Sequence, residues 1–357
     1  MATRSDRPAR YDWLETLPRF QLGFLPTPLV PLERFSEVLG GPRIWIKRDD
    51  CTGLATGGNK TRKLEYLIGD ARARQATSVL TFGAVQSNHA RQTAAACAKA
   101  GLACHLILSR RVQTNHPDYE RSGNVLLDRL LGASIEFAAP EDVSTAAKAF
   151  TSAARDRGER VYVIPTGGSN AVGARGYARC ALELLLQSRD HGFSLTDVLH
   201  ASSSAGTQAG LLAGFAAFAE QPPRVHGINV YSHTPQTLAE QVLTLANEML
   251  VSDHPNARVS ADPTRASEPL IPPHAVHIDS RHLGPDYGIP APNTRSAIEL
   301  LARTEGILTD PVYSGKALAA LIERVRHGEF ADSSNVVFIH TGGSAVLPVY
   351  ENVLADP

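Results

Sequence analysis

Cysteine is scarce. The 357-residue chain holds four, Cys51, Cys97, Cys104 and Cys180, with no CxxC pair and no Cys/His spacing suited to a metal. Four thiols in a chain this long do not make a disulfide scaffold, so reduced, structural cysteines are expected. An excess of one charge is missing as well. Lys plus Arg number 35 against 36 for Asp plus Glu, a formal net charge of −1. That balance excludes the basic surplus of a general nucleic-acid or membrane-surface binder. The longest apolar stretch, near Leu211–Ala219, falls far short of the ~20 residues that cross a bilayer. Met1–Arg10 is polar and Arg-rich, without the apolar segment of a secretion signal, so a cytoplasmic chain is expected. No GxGxxG follows a strand, and no GxxxxGK precedes Ser or Thr, which removes the dinucleotide and P-loop fingerprints. The 13 histidines include no HExxH, and no metal is expected.

What is present is an ordinary globular composition, 43% hydrophobic and 20% charged, and at ~150 residues per domain two domains are expected. The chain repeats a strand, a Gly-rich turn and an amphipathic helix. Strand patterns fall at Arg43–Arg48, Ser78–Phe82, Cys104–Leu108, Val161–Ile164, Val198–Ala201, Val225–Val230 and Val336–His340. Helical patterns run over His89–Ala100, through Leu182–Leu186 and over Gln208–Ala219. This alternation predicts an α/β fold with mostly parallel sheets flanked by helices. The stretch 253–274 breaks the rhythm. It carries prolines at 255, 263, 269, 272 and 273, which forbid long regular elements, and it reads as a surface excursion or a lid.

Ligands of open α/β sheets bind beyond the carboxyl ends of the strands. Five turns of that kind carry Gly, Ser, Thr or Asn: GGNK (57–60), QSNH (86–89), GGSN (167–170), SSSAGT (202–207) and TGG (341–343). The turn at 202–207 makes the best anion cup, since small residues allow close backbone approach and the following helix offers unpaired N–H groups. Simple N-capping by Ser or Thr explains the same residues. Lys60 opens a helix whose N-terminal field disfavours its charge. With burial, that field would leave a nucleophilic amine of the kind Schiff-base chemistry requires. Lys47 and Lys63 serve as ordinary lysines for comparison. The pair Asp49-Asp50 reads as half core anchor, half solvated.

A Schiff-base lysine early and a Ser/Gly/Thr cup late suggest a pyridoxal phosphate (PLP) enzyme. GGNKTRKLEYL (57–67), GAVQSNHARQTAA (83–95), PTGGSNAVGARGY (165–177), SAGTQAG (204–210), YGIP (287–290), EGILTDPVYSGKA (305–317) and HTGG (340–343) closely resemble the 1-aminocyclopropane-1-carboxylate deaminase / D-cysteine desulfhydrase family. The matches run in order from about Leu25 to Leu347. The resemblance implies the fold-type II, tryptophan-synthase-β-like architecture of two open twisted sheets. A smaller domain would span 55–165, and a larger PLP-binding domain would combine 1–54 with 166–357.

It also implies roles. Lys60 matches the lysine that binds PLP covalently and shuttles the α-proton, and Asn88 the partner of the pyridoxal phenolic oxygen. Gln86, Ser87 and His89 belong to the turn that receives the substrate carboxylate and lines the reacting face. Ser204, Ala205, Gly206 and Thr207 match the phosphate cup, Tyr287 and Tyr313 active-site tyrosines, and Thr341 the hydroxyl beside the pyridine nitrogen. Such a partner leaves that nitrogen largely unprotonated and moderates the electron sink. Where deaminases carry glutamate after the tyrosine of DPVY, this chain has Ser314, placed here among the substrate-binding residues. The resemblance therefore points to α,β-elimination from L-cysteate or D-cysteine, giving pyruvate, ammonia and sulfite or sulfide. A sulfonate would want an extra cation, with Arg110, Arg111 and Arg281 as candidates. The alternatives are cyclopropane deamination, a biosynthetic enzyme that captures an aminoacrylate, and a non-catalytic amino-acid sensor. The expected partner is a small amino acid, and relatives of this kind are commonly homodimers.

Overall fold

The computed structural model describes residues 13–114, 116–231, 234–253 and 270–354. Its strands are β1 (Leu29–Pro31), β2 (Arg43–Lys47), β3 (Ser78–Ala84), β4 (Ala103–Ser109), β5 (Ser134–Ala138), β6 (Val161–Ile164), β7 (Asp197–Ser202), β8 (Arg224–Asn229), β9 (His277–Asp279) and β10 (Asn335–Ile339). They form a six-stranded sheet in the order β1-β2-β10-β7-β8-β9 and a four-stranded sheet in the order β5-β4-β3-β6. Every pairing is parallel except β1 with β2. Strands β2 and β7 are buried along nearly their whole length, as parallel strands covered on both faces require. The expected α/β architecture is present. The sequence pattern missed β1, β5 and β9. Two of these span three residues, and β5 (SIEFA) alternates between exposed and half-buried positions at a sheet edge. Most of the Pro-rich excursion, residues 254–269, lies outside the described residues. No helix among the described residues is long and apolar enough to cross a membrane.

The helix Lys60–Ala73 packs against both the helix Asn88–Ala100 and the helix Ala171–Asp190. It is buried from Thr61 to Ala71 although it contains Arg62, Lys63, Glu65 and Asp70. Buried charge persists only when paired, and Arg62, Glu65 and Asp70 each have an ion-pair partner. Arg62 makes a two-pronged contact with Asp49 (Nε–Oδ2 and Nη2–Oδ1, both 2.8 Å) and reaches Glu183 at 2.9 and 2.8 Å. Thr27 and Tyr177 complete the Asp49 carboxylate at 2.8 and 2.6 Å. Burial alone would raise the Asp49 carboxyl, but Arg62 and Lys47 outweigh it and hold it below the ordinary value. Glu65 meets Arg19 at 2.5 Å and accepts from the Leu22 and Gly23 N–H groups. Asp50, by contrast, is half-buried and pairs with Arg48 at 2.7 Å. The expected anchor is Asp49, but Asp50 is not solvated as expected: it is half-buried and ion-paired, and both sit in a short turn beyond β2.

Candidate active site

The turns that follow β3, β6, β7 and β10 converge on one cavity of about 560 Å³, with Lys60 on its wall. Among the described residues that line it, none is Asp or Glu. The cup begins at Ala205, whose φ of +65° lies in the left-handed region that a non-glycine residue rarely enters. Such strain costs on the order of 1 kcal/mol and persists where the surroundings over-determine it. The helix Gly206–Phe218 then starts with no side-chain cap on its N-terminus. Gly206 cannot be larger. A Cβ there would lie 2.6 Å from Ser169 Oγ and 3.0 Å from Lys63 Nζ. Ser204 Oγ contacts Ser169 Oγ at 2.8 Å, and Thr207 Oγ1 accepts from Asn59 Nδ2 at 3.4 Å.

Lys63 is therefore no ordinary lysine. It is wholly buried, and its ammonium donates to the Gly167 carbonyl and to Ser169 Oγ, both at 3.1 Å. Burial, and then the neighbouring Lys60 charge, push its pKa well below the usual value. An anion in the cup would relieve that cost. Residues three apart share a helix face, and Lys63 lies three beyond Lys60, but that spacing alone does not show what surrounds its amine. Lys47 is buried too, but bonds to Thr27 O, Glu183 and Gln187, away from the cavity.

Lys60 Nζ lies 3.2 Å from Asn59 Oδ1. Burial lowers its pKa to about 8 against the opposing pull of Asp310. Because the shift is downward, the cation dominates below that value and the reactive neutral amine above it. Capture of PLP by the cofactor-free protein should accelerate with pH and level off above about 8. Absorbance mixing experiments across pH would show this, and a plateau only above 10 would contradict the assignment.

Asn88 lines the cavity with a defined polarity. Arg91 can only donate, and its Nε meets Asn124 Oδ1 at 2.8 Å. Asn124 therefore presents Nδ2 to Asn88 Oδ1 at 2.9 Å, which leaves the Asn88 NH₂ as the donor end. Ser87 caps the same helix, its Oγ accepting from Ala90 N at 3.1 Å, so its hydroxyl hydrogen remains to be donated. His89 is held neutral by burial first and then by the charges of Lys60 and Lys63. Thr81 donates to Ile164 O and so accepts from His89 Nε2, both at 2.8 Å. His89 Nδ1 is then an acceptor, buried without a partner among the described residues.

Tyr287 and Tyr313 line the cavity with their hydroxyl oxygens 2.5 Å apart. Burial raises both phenols above the ordinary value. They are proton donors at neutral pH rather than bases. The Thr341 side chain also lines the cavity, while its carbonyl accepts from Asn59 N at 3.0 Å.

Two expected residues stand elsewhere. Gln86 is not at the cavity wall: its Nε2 donates to the Tyr119 and Ser122 carbonyls and its Oε1 accepts from Asn124 N. Its amide is spent on the 119–124 turn. Ser314 is buried at the start of the helix Ser314–Arg326, its hydroxyl against Asp310 Oδ2 and the Gly342 carbonyl. It supports the neighbour of Thr341 and does not line the cavity. Ser169, Lys63 and Asn59 are the site residues that sequence reasoning passed over, though two of them stood in turns already singled out.

This is the site of a cofactor enzyme, and the comparisons with known proteins agree. The chain belongs to the family of pyridoxal-phosphate dependent enzymes, whose sequence profile matches residues 20–342. It is 40% identical over 349 residues to a 1-aminocyclopropane-1-carboxylate deaminase of Burkholderia vietnamiensis, covering 96% of this chain and 99% of that protein. The like-named protein of Burkholderia multivorans is 39% identical over 350 residues, with the same coverage. A crystal structure of an ACC deaminase homologue superposes with a TM-score of 0.81 at 32% identity, covering 98% of this chain and 99% of that one. An O-ureido-L-serine synthase, at a TM-score of 0.61 and 14% identity over 96% of this chain and 95% of that one, shares the fold. The residues present suit PLP: a strained, uncapped helix start with a glycine that leaves room beside Lys63, and the half-buried amine of Lys60 on the cavity wall. The cup and Lys63 would hold the phosphate, Asn88 the phenolic oxygen, Thr341 the ring nitrogen and Lys60 the aldehyde carbon.

Proposed function

We propose that this PLP-dependent enzyme is an ammonia-releasing lyase that removes the β-substituent of a sulfur-containing amino acid, L-cysteate or D-cysteine. One observation carries the reading: among the described residues the cavity is lined by no carboxylate, and the position where the resemblance places a glutamate in deaminases holds a serine turned to Asp310 and Gly342. PLP, when bound, supplies an electron sink for the carbon next to the amine. The chain supplies the rest. The helix start at Ser87 and Asn88 offers donors to the substrate carboxylate. Lys60 Nζ, neutral from about pH 8, takes the α-proton. The Tyr287–Tyr313 pair holds a proton for the departing group.

The names of the relatives support a second reading, opening of a cyclopropane ring, which needs the same lysine. Parallel assays separate the two: pyruvate from L-cysteate and D-cysteine, and α-ketobutyrate from aminocyclopropane carboxylate. Pyruvate formed with at least about tenfold higher kcat/KM is the expected outcome. Turnover of the cyclopropane alone would install the deaminase reading. A loaded yellow protein inert on all three would point to capture of the intermediate in biosynthesis, and a protein that never takes up PLP to a sensor.

A further inference from the structure

We infer that Ser109 and Arg111 form an oxyanion subsite that selects substrates whose β-substituent is a sulfonate or a phosphate ester. The inference rests on the reading of the chain as a β-eliminating lyase and narrows its substrate class. Three arginines could supply the cation. Arg110 is bound to Glu120 at 2.7 Å, and Arg281 to Asp279 and Glu329 at 2.6 and 3.1 Å. Arg111 alone of the three lines the cavity, and it makes no ion pair with any described carboxylate. Its guanidinium lies over the Tyr231 ring, 5.1 Å from the centroid, and Nη1 donates to the Tyr231 hydroxyl. Arg111 is exposed, and the stacking orients its fork while most of its N–H donors make no bond to a described residue.

The second observation is independent. Ser109, 6% exposed, ends β4, and its Oγ is buried without a partner among the described residues while the residue lines the same cavity. A buried hydroxyl left unsatisfied is costly, and a ligand oxygen would satisfy it. The register places Ser109 beside Ala84 of β3, and Ser87 follows three residues later. Neighbouring strands are ~4.8 Å apart, so the subsite stands roughly one small side chain from the carboxylate-binding turn. With a sulfonate the elimination balances: Lys60 takes the α-proton, the Cβ–S bond breaks with its electron pair on the departing sulfite, and water completes conversion to pyruvate and ammonium. With a phosphate ester the Cβ–O bond breaks instead.

The test compares kcat/KM of the holoenzyme for both enantiomers of cysteate, phosphoserine and β-chloroalanine, the last with a neutral β-substituent. Calorimetry with β-sulfopropanoate, which carries no amine and cannot react, measures binding separately. Arg111→Gln should cost about 100-fold more on the oxyanion substrate than on β-chloroalanine, and Ser109→Ala about tenfold more. Arg111→Lys should recover part of the loss, and β-sulfopropanoate binding should weaken in step. Preference for phosphoserine over cysteate would name the oxyanion and uphold the subsite. Equal losses on all substrates, or β-sulfopropanoate binding indifferent to Arg111, would overturn it. If no β-substituted amino acid reacts while β-sulfopropanoate still binds through Arg111, the lyase reading falls and the subsite stands.

Discussion

Replacing Lys60 with alanine should abolish turnover, by about 10³-fold or more, because one amine serves both as covalent attachment point and as proton carrier. The same experiment decides between two lysines on one helix face, Lys60 half-buried and Lys63 wholly buried. Borohydride treatment of the loaded wild-type protein, followed by peptide mapping, should place PLP on Lys60. Lys60→Ala should still bind PLP through the cup and Lys63 but yield no fixed label. A label on Lys63 would exchange the two assignments. Geometry favours Lys60: Lys63 Nζ is already committed to Gly167 O and Ser169 Oγ, whereas among the described residues Lys60 Nζ hydrogen-bonds to Asn59 alone.

Asp49→Ala should destabilise the fold by about 3 kcal/mol or more, without touching the cavity. Removing one partner of a buried ion pair leaves an uncompensated charge, and such losses run at about 3–5 kcal/mol. Arg62 would retain Glu183, which holds the expectation at the lower end. The cluster ties Thr27, the turn after β2, the Lys60 helix and the helix Ala171–Asp190 together. Denaturant unfolding should show a lower midpoint at unchanged slope. A loss under about 1 kcal/mol would mean that Arg62 finds water or another partner. The pH dependence has a definite sign. The Asp49 carboxyl is held below its ordinary value, so its contribution is present at neutral pH and disappears as pH falls through the folded-state value.

The parallel α/β architecture was legible because consecutive strand–turn–helix units repeat, and because buried strands read as short β-branched runs. The edge strands β1 and β9 were not, since three residues carry no period, nor was β5, whose five residues are mostly exposed or half-buried. At the site, the turns were legible and the side-chain directions were not. QSNH reads as four ligand residues in a row, yet Gln86 turns to hold the 119–124 turn while Ser87, Asn88 and His89 face the cavity. Ser314 reads as a pocket residue by alignment with a glutamate, and a shorter side chain at the same backbone position finds Asp310 instead. Lys63 reads as an ordinary helical lysine, and only the docking of the 167–169 turn reveals its surroundings. Arg111 could not be told from Arg110 until Glu120 was seen to hold one and not the other.

The chain of contacts behind Asn88 has a further consequence. Arg91 never reaches the cavity wall, yet its inability to accept a hydrogen bond dictates which end of Asn124 it meets. Asn124 in turn dictates which end of Asn88 is offered to a ligand. An amide is chemically symmetric enough to sit either way round, and here a guanidinium two residues removed breaks that symmetry. The wall of the site therefore has a handedness of polarity imposed from the core. An aspartate at position 124, which has no N–H to give, would hand the core a second acceptor and release Asn88 to turn its oxygen toward whatever occupies the cavity.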